Sequence, residues 1–252
     1  MSPRWRPVIF IMGMVPLAAF VIWGLRGLPG FGHYPGPYGN VVARSAVRQM
    51  HATGLVSAVN FAYRGFDTLG EEFILFVAVT GVATVLRPLR EERERDPVDE
   101  AHNRQVPKTS DAVQMVAALL VAPLALFGWF LASHAQTSPS GGFQGGVVLA
   151  SAFVVVYLGG QYLTFRRVSP TTVFEAAEAV GAGAFAAIGA SALAYGLSYL
   201  TDILPLGHTA GAVDSSGTVA LISFFVGVEV TAAFVLVVAE LLEQTLMVRQ
   251  RE

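Results

Sequence analysis

Residues 61–73 read FAYRGFDTLGEEF, which places Arg64, Asp67, Glu71 and Glu72 between two apolar runs. Carboxylate oxygens are ligands for hard cations. Carboxylates held in an apolar setting also serve as proton relays. A plainer use competes with both. Thr68 and Glu71 have capping-box spacing, in which a hydroxyl and a carboxylate satisfy the free N–H groups of a helix start. Asp67, Glu71 and Glu72 would also complement the positive end of the helix dipole. Helix initiation accounts for Thr68 and one glutamate, and it leaves Arg64 and the surplus acids wanting a further reason. An Arg64–Asp67 or Arg64–Glu71 pair, with the other acids facing a hydrated cavity, would hold a cation or pass a proton.

The same two uses compete further along. Thr172 and Glu175 form a second capping box, and Glu178 follows one turn later on nearly the same face. Glu229 is different, because it lies well inside SFFVGVEVTAAFVLVVAELLE, where no helix cap needs it. On a helix Glu240 returns to within about 20° of Glu229, and Glu243 to within about 40° on the other side, so the three form an acidic stripe. Glu229 is the leading ion-path candidate; packed against another subunit it would instead be a protonated or paired carboxyl. Glu240 and Glu243 are expected at the membrane interface, balanced by Arg249 and Arg251. The five histidines, at 33, 51, 102, 134 and 208, share no helix face at metal-ligand spacing. His134 and His51 fall near span ends, where a histidine usually makes a boundary hydrogen bond; His134 is kept with the ion-path candidates for its position. Nothing resembles a catalytic triad or a hydrolytic acid pair, so an enzyme in its own right is not expected.

These residues must be positioned by membrane helices. Hydrophobic residues are 54% of the 252 and charged ones 13%, about half the roughly 25% usual in soluble domains. Without cysteine the chain has no disulfide, thiolate zinc site or cysteine-held iron–sulfur cluster. No cofactor is expected, and the net charge of −2 offers nothing to nucleic acid. A bilayer core about 30 Å thick needs about 20 apolar residues of helix. Seven segments roughly qualify: 8–25, 44–62, 68–88, 111–132, 143–164, 173–199 and 218–246. The second is the weakest, since Arg44, Arg48 and His51 occupy its first part. The expected fold is an all-α polytopic bundle of about seven spans, three before residue 88 and four after 110. The first span lacks a clear cleavage site and is read as retained. Cationic loops favour the cytoplasm, which puts the 88–110 loop and the C-terminus inside a bacterial cell membrane. The bias accommodates seven crossings, and six somewhat better.

Thirteen of the 34 charged residues crowd into Arg87–Asp111, a mixed-sign, proline-containing stretch expected to be a solvated linker. It divides the chain into pieces 1–87 and 111–252. In the second piece, SHAQTSPSGGFQGGVVLA and GAGAFAAIGASALAYG place small residues at four-residue spacing, as close-packed membrane helices require.

The run FAYRGFDTLGEEFILFVAVTGVATVLRPLR resembles the C-terminal end of the large A-type component of Mrp-type multisubunit sodium/proton antiporters and the E-type component of membrane-bound hydrogenases. PSGGFQGGVVLASAFVVVYLGG and GVEVTAAFVLVVAELLEQTL resemble the B-type component of that antiporter family. The resemblance covers about residues 40–90 and 111–247. It implies a fusion of a hydrogenase-E-like piece, 1–87, with a B-like four-span piece, 111–252. It also implies a role in a Na⁺/H⁺ antiporter, with other membrane subunits for partners. A redox-driven complex related to complex I or hydrogenase, or a purely structural scaffold, are the alternatives. Two positions depart from the family pattern: Ala62, where an acidic residue is common, and Ser140, where glycine is usual.

Overall fold

The computed structural model of the chain describes residues 5–28, 30, 32, 36–86, 95–101, 104, 105 and 109–250. Five of its helices are long and apolar enough to cross a membrane: α4 (Gly65–Leu86), α5 (Asp111–Ser133), α6 (Gly142–Val168), α7 (Thr171–Ser191, extended by a 3₁₀ turn to Tyr195) and α8 (Thr218–Thr245). Helix α1 (Trp5–Arg26) is also apolar, its described apolar segment Phe10–Arg26 being shorter. Three short strands, β1 (Arg95–Ala101), β2 (Arg104–Gln105) and β3 (Leu246–Gln250), form an antiparallel sheet in the order β2-β1-β3, outside the spans. β1 and β2 occupy part of the expected linker.

The segment 44–62 is not one helix. Helix α2 (Pro37–Gln49) stops where His51 takes a left-handed φ of 50°, and the chain restarts as α3 (Leu55–Ala58) and a single π-turn (Val59–Tyr63). The reason lies in α2, whose Asn40, Arg44, Ser45, Arg48 and Gln49 leave it amphipathic, a surface helix by composition. α3 and the π-turn together are too short to span. Neither capping box forms as expected. Helix α4 already begins at Gly65, so Thr68 lies inside it, and α7 begins at Thr171 after Pro170, with no side-chain cap. Proline suits a helix start because its missing N–H would go unused there.

The chain divides into two compact units, Met1–Val41 and Val42–Glu252. In the second, α8 is the central helix, packed by α4, α5, α6 and α7. Its Val219, Ile222, Val226 and Val230 join Phe61 and Phe185 in one apolar cluster, while Val235 and Ala239 join Tyr162 and Phe165 in another. Helices come this close because glycine removes the side chain between them. A Cβ on Gly146 would lie 2.7 Å from Val230 Cβ and 2.9 Å from Gly227 O, and one on Gly145 would lie 2.5 Å from Ala132 N. The GGFQGG run therefore seats α6 on α8 through Gly142 and Gly146 and on α5 through Gly145. Ser223 Oγ donates to Ala132 O (3.1 Å), and Thr231 Oγ1 to Gly146 O (3.3 Å), which ties α8 to both neighbours.

The connections converge at two ends. At the first, the loop end, Thr53 N and Gly54 N donate to Gln136 O, Gly211 N donates to His51 O, and Gln136 Nε2 donates to Val213 O (2.6 Å). His51 Nδ1 faces Leu206 O and Gly207 O at 3.2 and 3.1 Å, the boundary role expected of it. At the opposite end, where the sheet lies, Tyr162 donates to Glu243 Oε1 (2.7 Å) and Arg166 sits 3.7 Å from the same carboxylate. Glu243 is thus balanced by α6; the side chains of Arg249 and Arg251 are outside the described residues. A left-handed φ of 62° at Gln161 redirects α6 just before Tyr162.

Gly146→Val should overpack the α6–α8 contact by about 3 kcal/mol or more, read as a large loss of melting temperature in detergent. Gly183→Ala, with open space where its Cβ would go, should match or slightly exceed the wild type.

Candidate functional site

Four glutamates are buried among the described residues, and besides Glu240 near the end of α8 they come one each from three helices. Glu229 of α8 is 0% exposed, Glu72 of α4 is 2% and Glu178 of α7 is 5%. Both oxygens of Glu229, Oε2 of Glu72 and Oε1 of Glu178 are buried with no hydrogen-bond partner among the described residues. The charged groups that act on Glu229 are Glu72 and Glu178. Beyond them the series continues, since Glu71 acts on Glu72 and Glu175 acts on Glu178. Five carboxylates therefore follow one another as electrostatic neighbours: Glu71, Glu72, Glu229, Glu178, Glu175.

Their depths form a staircase. At about 1.5 Å per residue, Glu72 lies roughly 10 Å into α4 from the loop end, and Glu229 roughly 16 Å into α8 from the same end. Glu178 lies roughly 10 Å into α7 from the opposite end. The glycine at 181 makes the middle step possible: a Cβ there would lie 2.5 Å from Glu229 Cβ and 2.8 Å from Glu229 N. Adjacent dry carboxylates cannot all be ionised, because each bare charge costs several kcal/mol to bury and repels the next. Such a cluster is stable only with some of its members protonated or with a positive charge beside them.

A crevice of about 250 Å³ leads to this cluster from the loop end. It is lined by Ser57, Asn60, Phe61, Thr68, Glu71 and Glu72 on one side and by Ser140, Gly141 and Gln144 on the other, with Val226 also at its wall. Ser57 Oγ donates to Ser140 O (2.9 Å), which fixes the π-turn segment against the start of α6.

The charged motif that opened the sequence analysis is thus divided by the fold. Arg64 and Asp67 form an exposed ion pair, with Arg64 Nε donating to Asp67 Oδ2 (2.6 Å). Glu71 is exposed at the crevice, and only Glu72 turns inward. Near this rim burial pushes the Tyr63 hydroxyl above its ordinary value, and it donates to Gln49 Oε1 (2.9 Å). Glu175 is half-buried on α7. His134 stays apart from the carboxylates; it stacks on Phe130 at 4.2 Å, with Nδ1 3.0 Å from Ser133 Oγ and Phe130 O. Ser57, Asn60, Gln144 and Gly181 were missed. The four-residue glycine spacing around Gln144 and Gly181 was the available signal, since it marks where a helix is approached closely.

Residues 112–236 match the profile of a domain related to the MnhB subunit of Na⁺/H⁺ antiporters. The matched stretch is just under half of the chain. Glu178 and Glu229 lie inside it and Glu72 outside. A protein of Rhizobium meliloti (strain 1021), described as the probable A/B component of a K⁺/H⁺ antiporter, is 30% identical over 131 residues, covering 46% of this chain. The chain spans only 13% of that relative's length. Among solved structures, a chain of the membrane-bound sulfane sulfur reductase, an archaeal respiratory membrane complex, superposes with a TM-score of 0.72 at 29% identity. The match covers 94% of this chain and 98% of that one. A chain of the Mrp complex from Dietzia sp. DQ12-45-1b has the same fold, with a TM-score of 0.70 at 19% identity, covering 94% of this chain and 26% of that chain. The chain is a multi-pass membrane protein.

Arg64→Ala and Asp67→Ala should each change stability by about 1 kcal/mol or less, as exposed pairs do. Thermal melts of the two variants in detergent check this.

Proposed function

We propose that the chain is an integral-membrane subunit of a multisubunit antiporter that exchanges a monovalent cation for protons, with other membrane subunits for its partners. The observation that carries this reading is the series Glu71, Glu72, Glu229, Glu178, Glu175, whose three central members are buried and step across the bilayer on three different helices. In this reading protons pass along the series through intervening water. Glu229 is the central station, reached from one side through Glu72 and from the other through Glu178. Arg64 and Asp67 stabilise the rim, and His134 has no part in the path. The names of the relatives, one from a K⁺/H⁺ antiporter and one from a Na⁺/H⁺ antiporter family, support an alkali cation as the exchanged ion.

The reading extends to topology and organisation. With α1 as a sixth crossing, both termini are cytoplasmic. The 88–110 segment, Arg166 and Arg167 then share the cytoplasmic side, as the positive-inside bias favours. The crevice opens to the opposite side of a bacterial cell membrane. The chain reads as a fusion of a hydrogenase-E-like piece, 1–87, with the MnhB-like piece, 111–252.

The end-to-end likeness to a chain of a respiratory complex favours one second reading, a place in a redox-driven pump whose electron carriers sit on other chains. Iron and flavin in the purified complex, with proton flux only when an electron donor is supplied, would select it.

Glu229→Gln should lower cation-dependent proton flux by about a hundredfold, the scale of a lost proton-transfer group, in vesicles carrying the assembled complex. Dye-reported pH changes after Na⁺ and K⁺ additions, with native electrophoresis as the assembly control, make the measurement. Unchanged flux in an assembled complex would remove Glu229 from the path.

A further inference from the structure

The crevice at the loop end has a chemistry of its own, separate from proton passage. Its residues combine one buried carboxylate with a set of neutral oxygens. Glu72 is 2% exposed and lines the crevice while its Oε2 has no hydrogen-bond partner among the described residues. An ionised oxygen so placed calls for a positively charged companion, because dry carboxylates persist only when paired or protonated. Among the described residues no basic side chain lines the crevice to serve as that companion. The neutral donors are Ser57, whose hydroxyl hydrogen is already committed to Ser140 O, together with Asn60, Thr68 and Gln144. Glu71 stands exposed at the mouth.

We propose that this crevice is a binding site for a monovalent alkali cation, with Glu72 as its charged ligand and the hydroxyl and amide oxygens of Ser57, Asn60, Thr68 and Gln144 replacing part of the ion's water. The identification as cargo rests on the antiporter reading above; the site itself rests on the crevice. Ligand type sets the class. All the donors are oxygens and the lining holds no histidine, while the chain holds no cysteine, so soft and borderline transition metals are disfavoured. A single buried carboxylate balances one positive charge, whereas divalent ions are generally held by several carboxylates or by phosphates. Anions are disfavoured by Glu71 and Glu72. The first turn of α6 does face the crevice with its positive end, but that amounts to only about half a charge, against two carboxylates.

The space also fits. At about 30 Å³ per water, 250 Å³ holds roughly eight molecules, enough for an ion that keeps some of its shell. The site adjoins the relay through Glu72, which acts on Glu229 directly. A cation seated against Glu72 disfavours a proton on the Glu72–Glu229 pair, and a proton there weakens the hold on the cation. Competition for one carboxylate pair is the elementary requirement for exchanging the two ions.

The absence of cysteine makes a clean test possible. Val56 lines the crevice, is exposed and is not a proposed ligand. In the assembled complex carrying Val56→Cys, labelling of this chain by a water-soluble maleimide is followed in Na⁺, K⁺ or choline at equal ionic strength. At an ion concentration about ten times its dissociation constant only the vacant fraction reacts, so labelling should slow about tenfold in Na⁺ or K⁺ relative to choline. Adding Glu72→Gln should abolish the protection, and adding Glu229→Gln should preserve it. Asn60→Ala, as a milder second variant, should raise the ion concentration needed for protection. Equal labelling in all three salts, no labelling in any, or protection that survives Glu72→Gln would overturn the site. Loss of flux in Glu229→Gln with no ion protection of Val56→Cys would overturn the cation site and leave the antiporter reading standing.

Discussion

The close approach of α6 and α7 to α8 is the constraint on which the rest depends. Glu229 can be fully buried only if the helices around it touch backbone to backbone, and they do so at Gly142, Gly146 and Gly227 on one side and at Gly181 on the other. In lipid there is no hydrophobic force between helices, so contact of this kind rests on dispersion and on a few hydrogen bonds such as Thr231 Oγ1 to Gly146 O and Ser223 Oγ to Ala132 O. The glycines therefore serve the carboxylate as much as the fold. Side chains at those positions would part the helices and open space beside Glu229 for lipid or water.

Much of this was legible in the amino-acid order, and the losses have physical causes. Six of the seven segments read as spans appear as helices of nearly the expected limits, because a long apolar run states its length directly. Segment 44–62 failed because apolar character was summed across a point where His51 turns the chain, and a backbone dihedral leaves little trace in hydropathy. Glu229 was singled out because it stands in a run too apolar for it, and Glu178 because it follows Glu175 one turn later on nearly the same face. Glu71 and Glu72 could not be told apart, since neighbouring residues on a helix differ by about 100° in direction and only the surrounding helices determine which one is inside. Both capping boxes had the right residues at the right spacing, yet the helices begin three residues before Thr68 and one before Thr172.

The three buried carboxylates of the series belong to α4, α7 and α8, which are separated in sequence by the linker and by the long loop between α7 and α8. Their meeting is a tertiary fact. Spacing within one helix can be read by periodicity, whereas contact between helices depends on which faces carry glycine and how the loops cross. The knot of hydrogen bonds among Thr53, Gly54, Gln136, Gly211, His51 and Val213 supplies that crossing. It holds the α2–α3 junction, the 134–141 loop and the 196–217 loop together, and with them the wall of the crevice.

The acidic stripe expected on α8 shows how geometry and chemistry can part. Glu229 and Glu240 do lie on one face, and Glu240 is 3% exposed. Between them, however, Ala232, Ala233 and Leu236 are buried, and Ala233 and Leu236 pack with Val79 of α4 in an apolar cluster. A proton cannot cross three turns of dry hydrocarbon contact without water or an ionisable group to receive it. The Tyr162–Glu243–Arg166 contact beyond that plug therefore reads as an anchor for the end of α8. In the proposed path, passage toward the sheet end leaves α8 at Glu229 and continues on α7, where Gly181 brings the backbone against Glu229, and Glu178 and Glu175 continue the series outward. For the proposed exchanger, an apolar break of this kind along α8 would keep the two sides of the membrane from being joined there by one continuous column of water.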